Sequence, residues 1–246
     1  MRDIRVLFVG NSHTYMNDMP HFFEEVYERT TLCRAEAAML AFSGKHLQWH
    51  MDEFFSLRYA LLYGGYDYCV LQQAAHPFPP EEETLADGQR AAALCRAGGV
   101  TPVFYMTWAE RQLPENQRKM TDVYTRLHES TPASLLAPAG MVWQAVREKH
   151  PEVELYAPDG EHASPCGDVL IAAVLCATIA RTADVRLPDH MLDFKKNAPE
   201  DTSPHVVLDR EAAVVPMDEH AAAAILEEIR ARAALFTGER SHHEGG

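Results

Sequence analysis

The segment Ile4-Arg5-Val6-Leu7-Phe8-Val9-Gly10-Asn11-Ser12-His13-Thr14 is the most informative part of the chain. Its first six residues are mostly apolar, as in a strand that is buried on both faces of a parallel sheet. The apolar run stops at Gly10-Asn11, and a serine follows at once. Open α/β sheets do their chemistry at the carboxyl ends of their strands. The hydroxyl of Ser12 is therefore predicted to lie at a functional site.

The rest of the chain alternates predicted strands with predicted helices. Further strands are expected at about residues 33–40, 66–72, 101–107 and 134–137, and helical segments lie between them. This alternation is typical of a parallel sheet that is covered by helices on both faces. We predict a three-layer α/β/α fold of the flavodoxin-like type, with a parallel sheet of about five strands.

The length of 246 residues suits one sizeable α/β domain. We expect a catalytic core over residues 1–182. Residues 183–240 are predicted to form an irregular excursion followed by a helix that packs on the same domain. Residues 241–246 are predicted to form a disordered tail.

The bulk composition argues against several classes of function. A formal net charge of −14 disfavours binding to a nucleic-acid backbone or to an anionic membrane. The five cysteines are odd in number and have no CxxC spacing, which favours reduced thiols in a cytoplasmic protein. No signal peptide and no glycine-rich phosphate loop is recognised, and no cofactor is expected. The oligomeric state is not predicted.

A second segment, Asp159-Gly160-Glu161-His162, supplies an acid and an imidazole shortly before a predicted helix. A serine hydroxyl is a weak nucleophile at neutral pH, so it needs a base that is itself oriented by an acid. We therefore predict that Ser12 is the nucleophile, His162 the base and Asp159 the orienting acid. His13 is a poor candidate for the base, because adjacent side chains generally diverge.

Three blocks of this sequence resemble the SGNH (GDSL-like) hydrolase superfamily. Gly10-Asn-Ser-His-Thr14 is similar to the first block, Ser43-Gly44 to the second, and Asp159-Gly-Glu-His-Ala-Ser164 with Gly167 to the last. The resemblance spans most of residues 4–181. It implies a serine hydrolase in which the backbone amides of Ser12 and Gly44 stabilise the oxyanion.

The third block of the family is where this chain departs from the pattern. That block usually reads Gly-x-Asn-Asp, and its Asn side chain is the third oxyanion donor. Here the segment from Asp67 to Pro77 occupies the place, with His76 at the expected distance and Gln72 and Gln73 nearby. Histidine and glutamine side chains can both donate hydrogen bonds. The third donor is therefore predicted to be His76 or Gln73.

Four further residues are weaker candidates for substrate contact, because they lie beside the proposed chemistry: Asn11, His50, Trp108 and Glu110. His46, His50 and Asp52 have a spacing that could suit a metal, but they lack a recognised motif and no metal site is predicted. Cys166 lies four residues after His162 and is an alternative nucleophile. A packed structural thiol is the more common role for such a residue.

The expected function is that of an esterase that cleaves O-acyl esters, of short-chain type or carbohydrate O-acetyl esters. The expected partner is accordingly a small-molecule or carbohydrate ester substrate. Two alternatives stay open. One is a non-catalytic module that binds a carbohydrate or an acylated ligand. The departure from the family pattern in the third block is the reason for this alternative. The other is an O-acyltransferase, since an acyl-enzyme can react with a sugar hydroxyl as well as with water.

Overall fold

A computed structural model describes the chain over residues 1–193 and 213–237. The predicted tail at 241–246 and the later part of the predicted excursion lie outside the described residues.

The centre of the molecule is a five-stranded parallel sheet, as predicted. The strand order is β2-β1-β3-β4-β5, which is the flavodoxin-like order. The chain leaves β1 for one edge of the sheet and then crosses to the other side of β1. The strands are β1 (Ile4–Gly10), β2 (Ala35–Ala41), β3 (Tyr68–Leu71), β4 (Thr101–Tyr105) and β5 (Leu135–Ala137).

Helices cover both faces of the sheet, which confirms the three-layer α/β/α prediction. One face carries α2, α7 and α8, and the other carries α3, α4, α5 and α6. The helices are α1 (Ser12–Tyr15), α2 (Met19–Thr31), α3 (Leu47–Asp52), α4 (Phe54–Tyr63), α5 (Glu81–Ala97), α6 (Asn116–Glu129), α7 (Ala139–Lys149), α8 (Pro165–Ala180), α9 (Glu219–Arg230) and α10 (Ala234–Thr237), with a 3₁₀ turn at Met16–Asp18.

The apolar run of β1 contributes to two hydrophobic cores at once. Successive side chains of a strand point to opposite faces of the sheet. Val6 and Phe8 therefore pack in the core beneath α2 and α8, while Leu7 and Val9 pack in the core beneath α3 and α5. A strand buried on both faces has to be apolar at nearly every position, and this explains the uninterrupted run in the sequence.

The sequence from about residue 48 to residue 63 predicts a single helix, but the structure divides it into α3 and α4. Glu53 leaves the helical region, with a ψ of 52°. Met51 of α3 and Leu57 of α4 pack in the same core. In one straight helix these two side chains would lie about 120° apart around the axis. The break turns both of them toward the sheet.

The C-terminal part adds a short ribbon and a helix. β6 (His190–Asp193) pairs in antiparallel fashion with β7 (Ala213–Pro216). Helix α9 buries Ala224, Ile225 and Ile229 in the core that also contains α8. None of the helices in the described ranges has the length and apolar character needed to cross a bilayer.

Candidate active site

Ser12 lies at the carboxyl end of β1, and the next two strands along the chain, β2 and β3, lie on opposite sides of β1. This switch point is the usual ligand site of such folds. The helical turn α1 begins at Ser12 itself. The turn forms because the side chain of Asn11 caps it, and its Oδ1 accepts from the amide of His13 at 3.1 Å.

The three predicted catalytic side chains meet at this edge of the sheet. The Oγ of Ser12 lies 2.8 Å from the Nε2 of His162, and the Nδ1 of His162 lies 2.8 Å from the Oδ2 of Asp159. A carboxylate can only accept, so the Nδ1 of His162 carries the hydrogen. The Nε2 atom is then free to accept from the hydroxyl of Ser12, which is the tautomer that a general base requires.

The carboxylate of Asp159 is strongly held in its ionised form. Burial by itself would raise its pKa. The backbone amides of Glu161 and His162, together with the His162 ring, donate to the carboxylate and lower the pKa to about 2. Asp159 is therefore an anion whenever the ring of His162 needs an acceptor.

The loop that carries Asp159 and His162 is fastened to the segment after β4. The indole Nε1 of Trp108 donates to the carbonyl of Glu161 at 2.9 Å, and the amide of Arg111 donates to the carbonyl of Gly160 at 2.8 Å. The Arg111 guanidinium also forms a two-pronged ion pair with Glu154, at 2.9 and 2.8 Å. These contacts place the acid and the base relative to the sheet.

The backbone amides of Ser12 and Gly44 are the predicted oxyanion donors, and this role stays a prediction. Gly44 has a φ of +67°, a conformation that favours glycine, and its surroundings are open. Asn11 ties this loop to the serine turn, because its Nδ2 donates to the carbonyl of Lys45 at 3.1 Å. Within the described ranges, no turn or loop carbonyl accepts from the amide of Ser12 or of Gly44.

The two predicted third donors have other partners. The Nε2 of Gln73 donates to Asp87 at 3.1 Å. The Nε2 of His76 donates to the carbonyl of Trp108 at 2.9 Å. Neutral His76 would have to give up its bond to Trp108 before donating to an oxyanion, whereas the amide of Gln73 carries a second hydrogen. The assignment of the third donor stays a prediction.

Gln72 supports the serine turn, a role that the sequence analysis did not assign. Its Oε1 accepts from the amide of Asn11 at 2.8 Å and from the hydroxyl of Thr14 at 3.0 Å, and the side chain is fully buried. The same oxygen lies against Gly10, where a Cβ would approach it to 2.4 Å. A polar residue at the carboxyl end of a buried strand was the available signal.

His13 is part of the site, although it does not act as the base. Its ring stacks on the ring of His162, with centroids 4.7 Å apart and planes 26° apart. Its Nε2 lies 3.0 Å from the Nδ1 of His76. Burial lowers the pKa of His13 well below its ordinary value, and the neighbouring His76 and His162 lower it further.

The four residues predicted as weaker substrate contacts hold parts of the protein together. Asn11 caps α1, and Trp108 is buried against Trp143. The buried ring of His50 donates from Nε2 to the carbonyl of Gly10 at 2.8 Å. The carboxylate of Glu110 accepts from Asn116 at 3.3 Å. Their contact with a substrate stays a prediction.

The other candidate groups lie apart from this chemistry. Burial, with Asp218 and Glu154 nearby, raises the pKa of Cys166 to about 12, so its thiol stays protonated. His46 faces Glu83 at 3.2 Å, whereas His50 is turned inward. Among the described residues, the groups whose geometry could hold a metal ion lie between α7 and α9: His150 with Glu152 and His220, and His150 with Glu227 and Glu228.

No protein-family profile matches the chain, and no curated protein sequence matches it significantly. Several solved structures do match the chain. A candidate SGNH hydrolase from Slackia heliotrinireducens is 27% identical, with a TM-score of 0.62 over 72% of this chain and 99% of that one.

Two other solved structures have lower identity. A DUF4886 family protein from Bacteroides uniformis is 15% identical, with a TM-score of 0.71 over 97% of this chain and 96% of that one. Esterase EstA from Pseudoalteromonas sp., solved in a form inhibited by monoethylphosphonate, is 12% identical, with a TM-score of 0.57 over 73% and 98% of the two chains. Together with the sheet order and the placement of Ser12, these similarities show that the chain has the fold of the SGNH hydrolases.

Proposed function

We propose that the chain is a serine esterase that hydrolyses O-acyl esters with Ser12, His162 and Asp159 as its triad. The observation that carries this proposal is the pair of 2.8 Å contacts that joins the three side chains in series. Similarity to solved hydrolases and esterases of the same fold supports it at the level of the fold.

In the first step, the Oγ of Ser12 attacks the ester carbonyl carbon while His162 takes the hydroxyl proton at Nε2. The carbonyl oxygen becomes an oxyanion, which the amides of Ser12 and Gly44 stabilise. Asp159 accepts from the Nδ1 of the resulting imidazolium. His162 then protonates the leaving alkoxide, and an acyl-serine remains.

In the second step, His162 removes a proton from a water molecule that attacks the acyl-serine. The acid is released and Ser12 regains its proton. A sugar hydroxyl in place of this water would make the same enzyme an O-acyltransferase, so the acceptor decides between the two activities.

Short-chain esters or carbohydrate O-acetyl esters are the substrate class that we propose. The similarity to solved structures described as an esterase and as a lipase/acylhydrolase supports acyl-ester chemistry in general. We also propose a reducing compartment such as the cytoplasm, because all five cysteines are free and three of them are buried.

The decisive experiment is reaction of the purified protein with a fluorophosphonate probe, followed by peptide mass mapping. We expect one label on Ser12, and we expect Ser12→Ala and His162→Ala to lose it. Turnover is then measured on a series of nitrophenyl esters of increasing acyl length and on acetylated sugars, with and without acceptor sugars.

Labelling at Ser12 that His162→Ala leaves unchanged would contradict the triad. No labelling of the folded wild-type protein, combined with tight binding of an acylated sugar, would contradict the esterase proposal and support the non-catalytic binding module.

A further inference from the structure

We propose that His13 is a positioning residue whose imidazole sets the tilt of the His162 ring. His76 and Trp108 anchor His13 in turn. This inference rests on the proposed function, since it concerns the base of the same site.

Proton transfer at His162 depends on how the plane of its ring is set. Asp159 holds its Nδ1, and Ser12 holds its Nε2, each at 2.8 Å. The ring is joined to the backbone through Cγ, so its plane changes only with the side-chain torsions χ1 and χ2. Small changes in these torsions turn the lone pair of Nε2 out of line with the hydroxyl of Ser12, and proton transfer depends on that alignment.

The ring of His13 adds a restraint on these torsions. It lies face to face with the ring of His162, with centroids 4.7 Å apart and planes 26° apart. His13 is 7% exposed and His162 is 8% exposed, so the stack is packed inside the protein. A planar neighbour in close contact opposes the tilt of a second planar ring, because tilting brings their atoms into collision.

The orientation of His13 is fixed by a chain of hydrogen bonds with one direction. The carbonyl of Trp108 can only accept, so the Nε2 of His76 must carry its hydrogen. The Nδ1 of neutral His76 is then an acceptor, and the Nε2 of His13 donates to it at 3.0 Å. His13 is therefore bonded to a ring that is itself bonded to the backbone. In this tautomer the Nδ1 of His13, which lies 3.3 Å from the Oδ1 of Asn11, carries no hydrogen to donate.

Trp108 holds both sides of the stack. Its carbonyl accepts from His76, while its indole donates to the carbonyl of Glu161, next to His162. Its ring lies flat on Trp143, with centroids 4.1 Å apart and planes 7° apart. The rings of His162 and His13 are thus both anchored to the same stacked pair of tryptophans in the core.

The experiment compares two substitutions that separate ring shape from hydrogen bonding. His13→Phe keeps a planar ring but loses the bond to His76, and His13→Leu keeps a similar volume without a plane. We expect His13→Phe to react with the fluorophosphonate probe at nearly the wild-type rate. We expect His13→Leu to react roughly ten- to a hundredfold more slowly. With an ester substrate, the loss should appear in kcat and not in KM.

The matched control is His21→Leu, which makes the same change at an exposed histidine and should label like the wild type. Equal slowing of His13→Phe and His13→Leu would overturn the proposal in favour of a role for the hydrogen bond. Wild-type rates for both would overturn it by showing that the ring has no role. Thermal unfolding confirms that each variant is folded.

A second readout does not depend on activity. The ring current of a stacked neighbour shifts the carbon-bound ring protons of His162 in the NMR spectrum. We expect that shift in the wild type and in His13→Phe, and its loss in His13→Leu. If the wild type is never labelled at Ser12, the proposed function fails. Absence of the shift from the wild-type spectrum would instead overturn the stack on which this inference rests.

Discussion

Asp159 uses both oxygens of its carboxylate. Its Oδ1 accepts from the amides of Glu161 and His162, and its Oδ2 accepts from the ring of His162. We predict that Asp159→Asn lowers kcat on an ester substrate by about 10³–10⁴-fold. The reason is that an asparagine amide in place of Oδ2 favours the tautomer in which Nε2 carries the hydrogen, and that tautomer cannot accept the proton of Ser12.

The measurement is steady-state hydrolysis by Asp159→Asn, with Asp122→Asn on the exposed face of α6 as the matched control. Thermal unfolding verifies that the loop is intact. A variant that kept more than about a tenth of the wild-type kcat would contradict the assigned role of Asp159, since a tenfold change is only about 1.4 kcal/mol of barrier.

Buried neutral histidines make the stability of this protein depend on pH. Burial lowers the pKa of His50 below its ordinary value of 6.5, although its bond to the carbonyl of Gly10 opposes the shift. Below about pH 6.5 the unfolded chain takes up a proton that the folded protein resists, so stability falls as the pH falls. Burial lowers the pKa of His13, His76 and His128 in the same sense.

We predict that His50→Gln loses less stability than the wild type between about pH 7 and about pH 5. Glutamine can still donate to the carbonyl of Gly10 but cannot be protonated in the unfolded state. Urea unfolding at the two pH values measures the difference. The free energies of unfolding of the two proteins should converge at the higher pH. An identical loss of unfolding free energy in both proteins at the lower pH would show that His50 titrates normally in the folded state.

At the scale of elements, the carboxyl end of β3 supports the serine turn that follows β1. The oxygen of Gln72 accepts from the amide of Asn11 and from the hydroxyl of Thr14, and both bonds are buried. We predict that Gln72→Leu lowers the free energy of unfolding by about 1–3 kcal/mol, because these donors lose their acceptor in a place that water does not reach. Labelling of Ser12 should slow as well.

Urea unfolding and fluorophosphonate labelling are measured on the same preparation. Gln89→Leu on the exposed side of α5 is the matched control, since its amide donates to Ser130 at the surface. Normal labelling in a destabilised Gln72→Leu would show that β3 stabilises the fold without positioning Ser12.

The division of α3 from α4 shows where local sequence information ends. Both segments favour helix, and nothing between residues 48 and 63 reads as a break. The break occurs because Met51 and Leu57 have to reach one core. That requirement comes from the position of the sheet, which the helical segment itself does not specify.

At the scale of the whole molecule, the C-terminal helix α9 is joined to the core by an ion-pair group. The carboxylate of Glu228 is fully buried and accepts from Lys149 of α7 at 2.8 Å and from Arg232 at 2.5 Å. We predict that Glu228→Ala lowers the free energy of unfolding by about 1–3 kcal/mol, because hydrogen bonds to a charged group are lost. The rate of labelling of the folded protein should stay unchanged.

Glu227→Ala is the control, because the neighbouring carboxylate is exposed. Its effect on stability should be within about 0.5 kcal/mol, as is usual at the surface. Stability of Glu228→Ala equal to that of the control would mean that α9 adds little to the folding of the core. Slower labelling of Glu228→Ala would mean that the packing of α9 affects the reactivity of Ser12.

The sequence by itself determined the layers, the five strands and the three residues of the candidate triad. Those features have local signals: an apolar run that a doubly buried strand requires, a serine that follows directly at its end, and an acid and an imidazole three residues apart before a helix. Only the tertiary structure decided how the side chains meet. Ser12 and His162 lie 150 positions apart, and their contact depends on the packing of loops at one edge of the sheet.

The same holds for the groups around the triad. That His13 stacks on His162, that Gln72 holds the serine turn and that Gln73 bonds to Asp87 follow from which side chains share a buried space. A polar side chain in the core takes whichever partner the packing brings within reach, because leaving it unpaired is costly. The polar residues can be read from the sequence, but their hydrogen-bond partners depend on the tertiary structure.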